Sequence, residues 1–344
     1  MTHKERFLAT IERKPVDRPS SWLGLPHPDS VPALLKHFRV SDLDQLRVVL
    51  DDDIYPVEMP YHSPSADAIY AAFPFAKKGD YNPEHRTLNS PGFFENADDL
   101  SMVDKFDWPD PAKYISREEC KRICKNAPKD MAVTGIIWSA HFQDVLAAFG
   151  MENALVQMLA APEMFKAVTK RIVDFYLQAN EIFFEATRGY LDAVLIGNDF
   201  GAQTGLIVSP EDVREFALPG ARQFVEQAHG YGLKVIHHSC GSIFEIIPDH
   251  IEIGVDAIHP IQTLAANMDA ARLKENFGKR VSFVGGIDVQ HLLVDGSPDE
   301  IRNKVRELKQ LFPSGLVLSP NHEAVLPDIP PSNIDILFTA INSK

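Results

Sequence analysis

The sequence predicts an α/β protein that forms a single (β/α)8 TIM barrel over residues 1–344, with an N-terminal helical extension. Eight short apolar runs, rich in Val and Ile and bounded by Gly, Pro, Asp or Asn, have the composition of buried strands. Longer segments with helical hydrophobic periodicity separate them along the second half of the chain, as in parallel sheets joined by helical crossovers. Eight such units in 344 residues fit a closed barrel better than an open sheet.

The elements follow in a regular order. Thr2 and Glu5 form a capping-box pattern, Phe7 and Ile11 then share an apolar helix face, and the prolines of KPVDRP end this first helix. The predicted strands are residues 20–25, 53–59, 131–138, 191–199, 233–240, 255–261, 281–288 and 315–320. Residues 26–130 contain long irregular stretches, whereas the alternation from residue 131 onwards is regular.

Three amphipathic segments between the later strands predict helices. They cover residues 162–187, 209–231 and 297–312, and the last two open with Ser-Pro followed by an acid. Serine is a favoured N-cap, and proline and acidic residues are favoured in the first helical turn. No linker or fixed-period repeat divides the chain.

Composition limits the class of function. The net charge of −14 argues against nucleic acid as a partner, because phosphate backbones require a basic surface. Three cysteines cannot form a disulfide framework, and no apolar run is long enough to cross a membrane. The amino-terminal segment MTHKERFLATIERK has no apolar core of a signal peptide. These features predict a cytoplasmic protein without a membrane or nucleic-acid partner.

Polar side chains are concentrated at the carboxyl ends of the predicted strands, where TIM barrels carry their active sites. The candidate substrate-binding residues are Glu58, Trp138, Gln203, His259 and Gln262. Asp199 in GNDFG and Asp288 in GGIDVQ are the candidate catalytic acids, because each ends a strand where an acid has no packing role. The alternative for both acids is an N-cap of the following helix.

The segment VIHHSCG at 235–241 contains the sharpest local signal. On a strand, residues two apart share a face, so His238 and Cys240 point together into the barrel mouth and His237 points towards the helices. An imidazole and a thiolate at this spacing can bind one zinc ion. The pattern alone is weak, since a buried thiol beside a hydrogen-bonded histidine has the same spacing.

A third metal ligand has to come from another strand end. His322, which follows GLVLSPN, is the best candidate, and a loop histidine that contacts only solvent or substrate is the alternative. Cys120 and Cys124 lie four residues apart in REECKRICKN, without nearby histidines or a cluster of acids that would complete a metal set. We interpret them as ordinary helix positions. No P-loop, G-x-G-x-x-G, G-x-S-x-G or H-E-x-x-H motif is present.

Long blocks of the sequence resemble the uroporphyrinogen decarboxylase superfamily, in its branch of corrinoid-dependent methyltransferases such as methylcobamide:coenzyme M methyltransferases. They include ERFLATIERKPVDRP, IGNDFGAQTGLIVSPEDVREFALPG, KVIHHSCGSIFEIIPDHIEIGVDAIHPIQ and LSPNHEAVLPDIPPSNI. The resemblance implies a zinc-dependent methyltransferase, with His238 and Cys240 as zinc ligands. Family members also use a cysteine near the carboxyl terminus, where this chain offers His322. One thiolate fewer leaves the zinc less electron-rich.

The resemblance also implies a reaction and its partners. A methyl group would move from a methylcobamide, carried by a separate corrinoid protein, to a small-molecule acceptor, either a thiol or tetrahydrofolate. Asp199 and Asp288 would steer the acceptor or hold His238 in one tautomer. The chain could also assemble with copies of itself. The alternative functions are a decarboxylase-like lyase that needs no metal and a non-catalytic small-molecule-binding barrel. The arginine-rich amino-terminal motif of the porphyrin decarboxylases is absent, and PVDRPSSWLGL stands in its place.

Overall fold

The computed structural model describes residues 1–75 and 90–343, and it contains the predicted parallel barrel. Eight strands form one parallel sheet in the order β1-β8-β7-β6-β5-β4-β3-β2. Their bounds are β1 Ser20–Ser21, β2 Ile54–Glu58, β3 Ala132–Trp138, β4 Ala193–Gly197, β5 Lys234–His238, β6 Ala257–Ile261, β7 Ser282–Ile287 and β8 Leu316–Pro320. A backbone bond from Asp53 N–H to the Ser21 carbonyl (3.3 Å) joins the two edge strands, so the barrel is nearly closed. The predicted fold class is confirmed.

Helices surround the sheet and follow the predicted order. The α-helices are α1 His3–Ile11, α2 Val31–Phe38, α3 Leu43–Leu50, α4 Ser101–Lys105, α5 Arg117–Lys125, α6 His141–Phe149, α7 Met151–Ala160, α8 Pro162–Ala186, α9 Pro210–Asp212, α10 Leu218–Gly230, α11 Ile247–Glu252, α12 Ala270–Phe277, α13 Leu292–Asp295, α14 Pro298–Leu311 and α15 Pro331–Asn342. A π-helical turn at Val213–Ala217 joins α9 to α10, and short 3-10 helices occupy Ile69–Ala71, Pro111–Lys113 and Phe244–Ile246. The extent of the single predicted domain stays a prediction.

The first predicted strand is shorter than expected. Only Ser20–Ser21 joins the barrel, because Gly24 has a positive φ of 84° and turns the chain away. A Cβ at Gly24 would lie 2.4 Å from the Glu323 carbonyl oxygen, so only glycine allows this approach. Leu25–Pro26 then pairs in parallel with Ala324–Val325. This small second sheet brings the segment after β1 and the segment after β8 together over the barrel mouth.

Helix α1 closes the opposite, amino-terminal end of the barrel. It has the predicted capping box, in which the Thr2 side chain accepts from Glu5 N–H. Phe7 and Ile11 are buried in a compact cluster with Trp22 and with inward residues of the strands, such as Ile236. The Ser282 hydroxyl on β7 donates to the Ile11 carbonyl (2.8 Å). The extension is therefore part of the barrel core.

A buried ion network joins α1 to the start of β2. The Asp53 side chain is fully buried and accepts hydrogen bonds from Arg6 (2.7 Å), Arg18 (2.9 Å), His3 (2.8 Å) and Ser21 N–H (2.9 Å). Burial alone would raise the pKa of Asp53, but the His3 bond and the charges of Arg18 and Arg6 lower it overall. The network anchors the amino-terminal helix by charge as well as by packing.

Within the described ranges, no helix combines the length and the apolar character that a bilayer-spanning segment requires.

Candidate functional site

His238 and Cys240 lie at the carboxyl end of β5, as predicted. His238 points into the barrel, where its ring meets the Trp138 indole edge-on (ring centroids 5.6 Å apart). His237 points outward and packs against the His250 ring, with centroids 4.3 Å apart. The alternation predicted from the strand period is confirmed. Gly197 on β4 makes room for His238, since a Cβ there would lie 2.6 Å from the Cβ of His238.

The potential metal ligands converge around Cys240. Its Sγ lies 3.6 Å from His238 Nε2, and Asp199 Oδ1 lies 3.3 Å from the same nitrogen. Two groups of ligand atoms each lie within 4.8 Å of one another: Asp199 with His238 and Cys240, and Cys240 with His322 and Glu323. The structure thus brings together all three predicted metal ligands, although His322 and His238 belong to different groups.

The surroundings of Cys240 favour the thiolate form of its side chain. Burial alone would raise the pKa of Cys240, but hydrogen bonds from His238 and His322 lower it overall. Burial alone would lower the pKa of His238, but its bonds to Asp199 and Cys240 and the charge of Glu323 raise it well above its ordinary value. The pKa of the Cys240 thiol is therefore lowered by two imidazole rings that can donate hydrogen bonds to its sulfur.

Asp199 fixes the position of Cys240. One carboxylate oxygen accepts the Cys240 backbone N–H (2.9 Å), and the other accepts from the Gln143 amide (3.0 Å). Burial alone would raise the pKa of Asp199, but bonding to His238 and the charge of His322 help to lower it overall. The lowered pKa keeps Asp199 ionised at neutral pH beside the candidate metal ligands.

His322 makes a local hydrogen bond that bears on its role. Ala324 N–H donates to His322 Nδ1 (3.0 Å), so the proton of the neutral ring is on Nε2. In this state His322 can donate to the Cys240 thiolate. As a metal ligand through either ring nitrogen it would have to give up the Ala324 bond, because Nδ1 would then carry the metal or the proton.

A cavity of about 910 Å³ opens above His238 at the barrel mouth. Of the predicted residues, Glu58, Trp138, Asp199 and His238 line it. Desolvation raises the pKa of Glu58. Trp138 has a positive φ of 53°, an uncommon conformation for a bulky residue, and this backbone strain accompanies the placement of its indole against His238.

The other predicted residues lie outside the lining of this cavity. Gln262 accepts from Gly241 N–H (2.8 Å) and from the Gln203 amide (3.3 Å), so the two glutamines brace the loop after β5. His259 is fully buried behind His238. Asp288 accepts from the backbone N–H groups of His291 (2.7 Å) and Leu292 (2.9 Å), the geometry of the helix-cap alternative. Their predicted roles in binding or catalysis stay predictions.

The sequence reasoning missed several lining residues. Gln143, Tyr70, Phe73 and Phe75 line the cavity, as does the 25–28 segment. These residues lie outside the barrel strands, so a prediction based on the carboxyl ends of the strands could not find them. Pro26 and Ala324 could be placed there only by knowing that their two segments pair.

Comparison with known proteins shows to which family the chain belongs. The family model for uroporphyrinogen decarboxylase (URO-D) matches residues 84–343. The chain belongs to the uroporphyrinogen decarboxylase family. The resemblance predicted from the sequence blocks is thereby confirmed.

Individual relatives of this family member include methyltransferases. A methylated-thiol–coenzyme M methyltransferase from Methanosarcina mazei is 26% identical over 161 residues, which are 46% of this chain and 40% of that protein. The match thus spans about two fifths of the relative's length. A solved methyltransferase from Methanosarcina mazei has a TM-score of 0.68 at 16% identity and covers 99% of this chain and 98% of its own. A putative vitamin-B12-independent methionine synthase from Listeria monocytogenes has a TM-score of 0.40 at 13% identity, covering 66% and 68%.

Proposed function

We propose that the protein is a zinc-dependent methyltransferase that moves a methyl group from a methylated corrinoid protein to a small acceptor, either a thiol or tetrahydrofolate. The observation that carries the proposal is that Cys240 Sγ lies among ligand atoms of His238 and Asp199 on one side and of His322 and Glu323 on the other, next to an open cavity that His238 lines. The relative named as a methylated-thiol–coenzyme M methyltransferase supports the same class of reaction. A separate corrinoid protein would be the partner.

The donor atoms present fit zinc. Zinc takes sulfur and nitrogen ligands together, and a catalytic site leaves a position open for substrate. Cys240 shares one group of converging ligand atoms with His238 and Asp199 and another with His322 and Glu323, so His322 and Asp199 are the two candidates we propose for a third ligand beside His238 and Cys240. Glu323 Oε2 is buried without a hydrogen-bond partner among the described residues, which leaves an acceptor available at the same place. When bound, zinc would supply Lewis acidity that lowers the pKa of an acceptor thiol.

The chain's own residues prepare the acceptor. Trp138 and the phenylalanines of the cavity wall present an apolar surface that excludes water around a small molecule. Asp199 holds the Cys240 backbone in place through its N–H group. Glu58 lines the same cavity, and its raised pKa suits it to take the proton that the acceptor releases. Asp288 would act only by supporting the loop after β7.

Metal analysis combined with a demethylation assay tests the proposal. Protein expressed with ample zinc should hold about one zinc per chain. Methylcobalamin, standing in for the corrinoid protein, should lose its methyl group when mercaptoethanesulfonate, another thiol or tetrahydrofolate is added. Zinc-free protein after expression in ample zinc would refute the proposal and favour the lyase or binding alternatives. Bound zinc without demethylation by any acceptor would refute the methyl-transfer step alone.

His322→Ala distinguishes the two candidates for the third ligand. If His322 is a ligand, the variant should bind zinc at least about 10-fold more weakly, and Asp199→Ala should have a smaller effect. Both affinities can be measured by competition with a chromophoric chelator. The opposite order, with full affinity in His322→Ala and a large loss in Asp199→Ala, would assign the third position to Asp199.

A further inference from the structure

Two histidines on adjacent strands lie side by side beneath the cavity. His238 on β5 and His259 on β6 are register partners in the parallel sheet. Their Nδ1 atoms are 2.9 Å apart, within hydrogen-bond distance. A bond between two imidazole nitrogens needs one donor and one acceptor, so the two Nδ1 atoms carry a single proton between them.

The contacts of the other ring nitrogen of His238, Nε2, show which histidine donates in this Nδ1–Nδ1 bond. His238 Nε2 faces Cys240 Sγ (3.6 Å) and Asp199 Oδ1 (3.3 Å), so Nε2 is the nitrogen on the ligand side. A neutral imidazole binds a metal through its unprotonated nitrogen, which places the proton on the other one. In the metal-binding state His238 Nδ1–H therefore donates to His259 Nδ1.

The surroundings of His259 suit it to accept the hydrogen bond from His238 Nδ1–H. Its side chain is fully buried and its ring packs against the Trp22 indole, with centroids 5.2 Å apart. No carboxylate contacts His259 among residues 1–75 and 90–343, and its Nε2 has no hydrogen-bond partner there. Glu323 Oε2 lies 3.7 Å from His238 Nδ1, which is longer than a hydrogen bond. The acceptor for His238 is thus a neutral imidazole.

We propose that His259 is a positioning residue that fixes His238 in the Nδ1–H tautomer, with Nε2 directed at the metal position. This inference rests on the proposed function, because it assigns His238 as a metal ligand. It gives His259 a role other than substrate contact, since the residue does not line the cavity. Metal-bound histidines usually donate to a carboxylate, a backbone carbonyl or water, and here a second histidine takes that place.

Two substitutions at the same position test the proposal. His259→Leu removes the acceptor, and the zinc affinity, measured by competition with a chromophoric chelator, should fall about 10- to 100-fold. His259→Asn places an amide oxygen near the position of Nδ1 and should restore most of that affinity. His250→Leu is the matched control, because His250 is a fully buried histidine outside the site and its loss should leave zinc affinity unchanged.

The outcomes separate this inference from the proposed function. Equal zinc affinity in wild type and His259→Leu would overturn the positioning role, as would an equally large loss in His259→Asn and His259→Leu. Absence of zinc from the wild type would instead overturn the proposed function on which it rests. Nitrogen-15 NMR of the zinc-loaded wild type needs no variant to fold: it should show His238 protonated at Nδ1 and His259 at Nε2. A proton on His259 Nδ1 would overturn the inference.

Discussion

Replacement of Cys240 by serine is expected to remove zinc binding and methyl transfer together. Cys240 belongs to both groups of converging ligand atoms and is the only one of the three cysteines that reaches them. Serine keeps the size of the side chain but is not ionised at neutral pH, so the site loses its anionic sulfur donor. We expect the zinc affinity to fall by more than about 100-fold, since loss of a ligand exceeds loss of its supporting contact. Chelator competition and methylcobalamin demethylation measure the two effects.

Cys124→Ser is the matched control for this prediction. Cys124 is buried on α5, away from the converging ligands, and burial raises the pKa of its thiol to about 12. The substitution should lower stability slightly without changing the amount of bound zinc. A Cys240→Ser protein that keeps stoichiometric zinc, or a Cys124→Ser protein that loses it, would contradict the assignment of the site.

Asp53→Asn is expected to lower the free energy of unfolding by about 3 kcal/mol, because the buried Arg6 and Arg18 would keep only the half-exposed Asp17 and Asp51 as counter-charges. Asp53 is the shared partner of Arg6 and Arg18, whose side chains are only 8% and 10% exposed. An asparagine can accept hydrogen bonds from them but cannot neutralise either charge. Urea unfolding, with the denaturant dependence checked against the wild type, measures the loss.

Asp51→Asn is the control for the effect of Asp53→Asn on the buried ion network between α1 and the start of β2. Asp51 also pairs with Arg18, but its side chain is 52% exposed. Solvent-exposed ion pairs contribute little, so this variant should lose less than about 1 kcal/mol. Equal losses of unfolding free energy in the two variants would show that the burial of Asp53 does not determine its contribution to stability.

The barrel and the inward direction of His238 were predictable because both follow from short-range periodicity. Apolar runs separated by helical segments define parallel strands, and the two-residue period of a strand separates His238 from His237. The position of His322 after the last predicted strand made it a ligand candidate by the same reasoning. These predictions required no knowledge of loop conformation.

The remainder of the site depends on contacts between segments that are distant in sequence. The pairing of His259 with His238 requires the register of two neighbouring strands, which sequence periodicity does not give. Gln262 and Asp288 stand at strand ends, as His238 does, yet their side chains accept hydrogen bonds from backbone N–H groups of nearby loops. A polar residue at a strand end can satisfy the backbone or face the ligand, and the sequence alone does not distinguish the two.

The sealed base of the barrel constrains the order of events in the proposed reaction. Because Phe7 and Ile11 of α1 fill the amino-terminal end, the opening that leads to His238, among the residues that the structure describes, is the cavity at the mouth. The corrinoid protein would present its methyl group through that same opening and cover it. The small acceptor therefore has to bind before the partner docks, and its methylated product leaves only after the partner dissociates. Steady-state kinetics should accordingly follow a compulsory-order mechanism, with the acceptor as leading substrate.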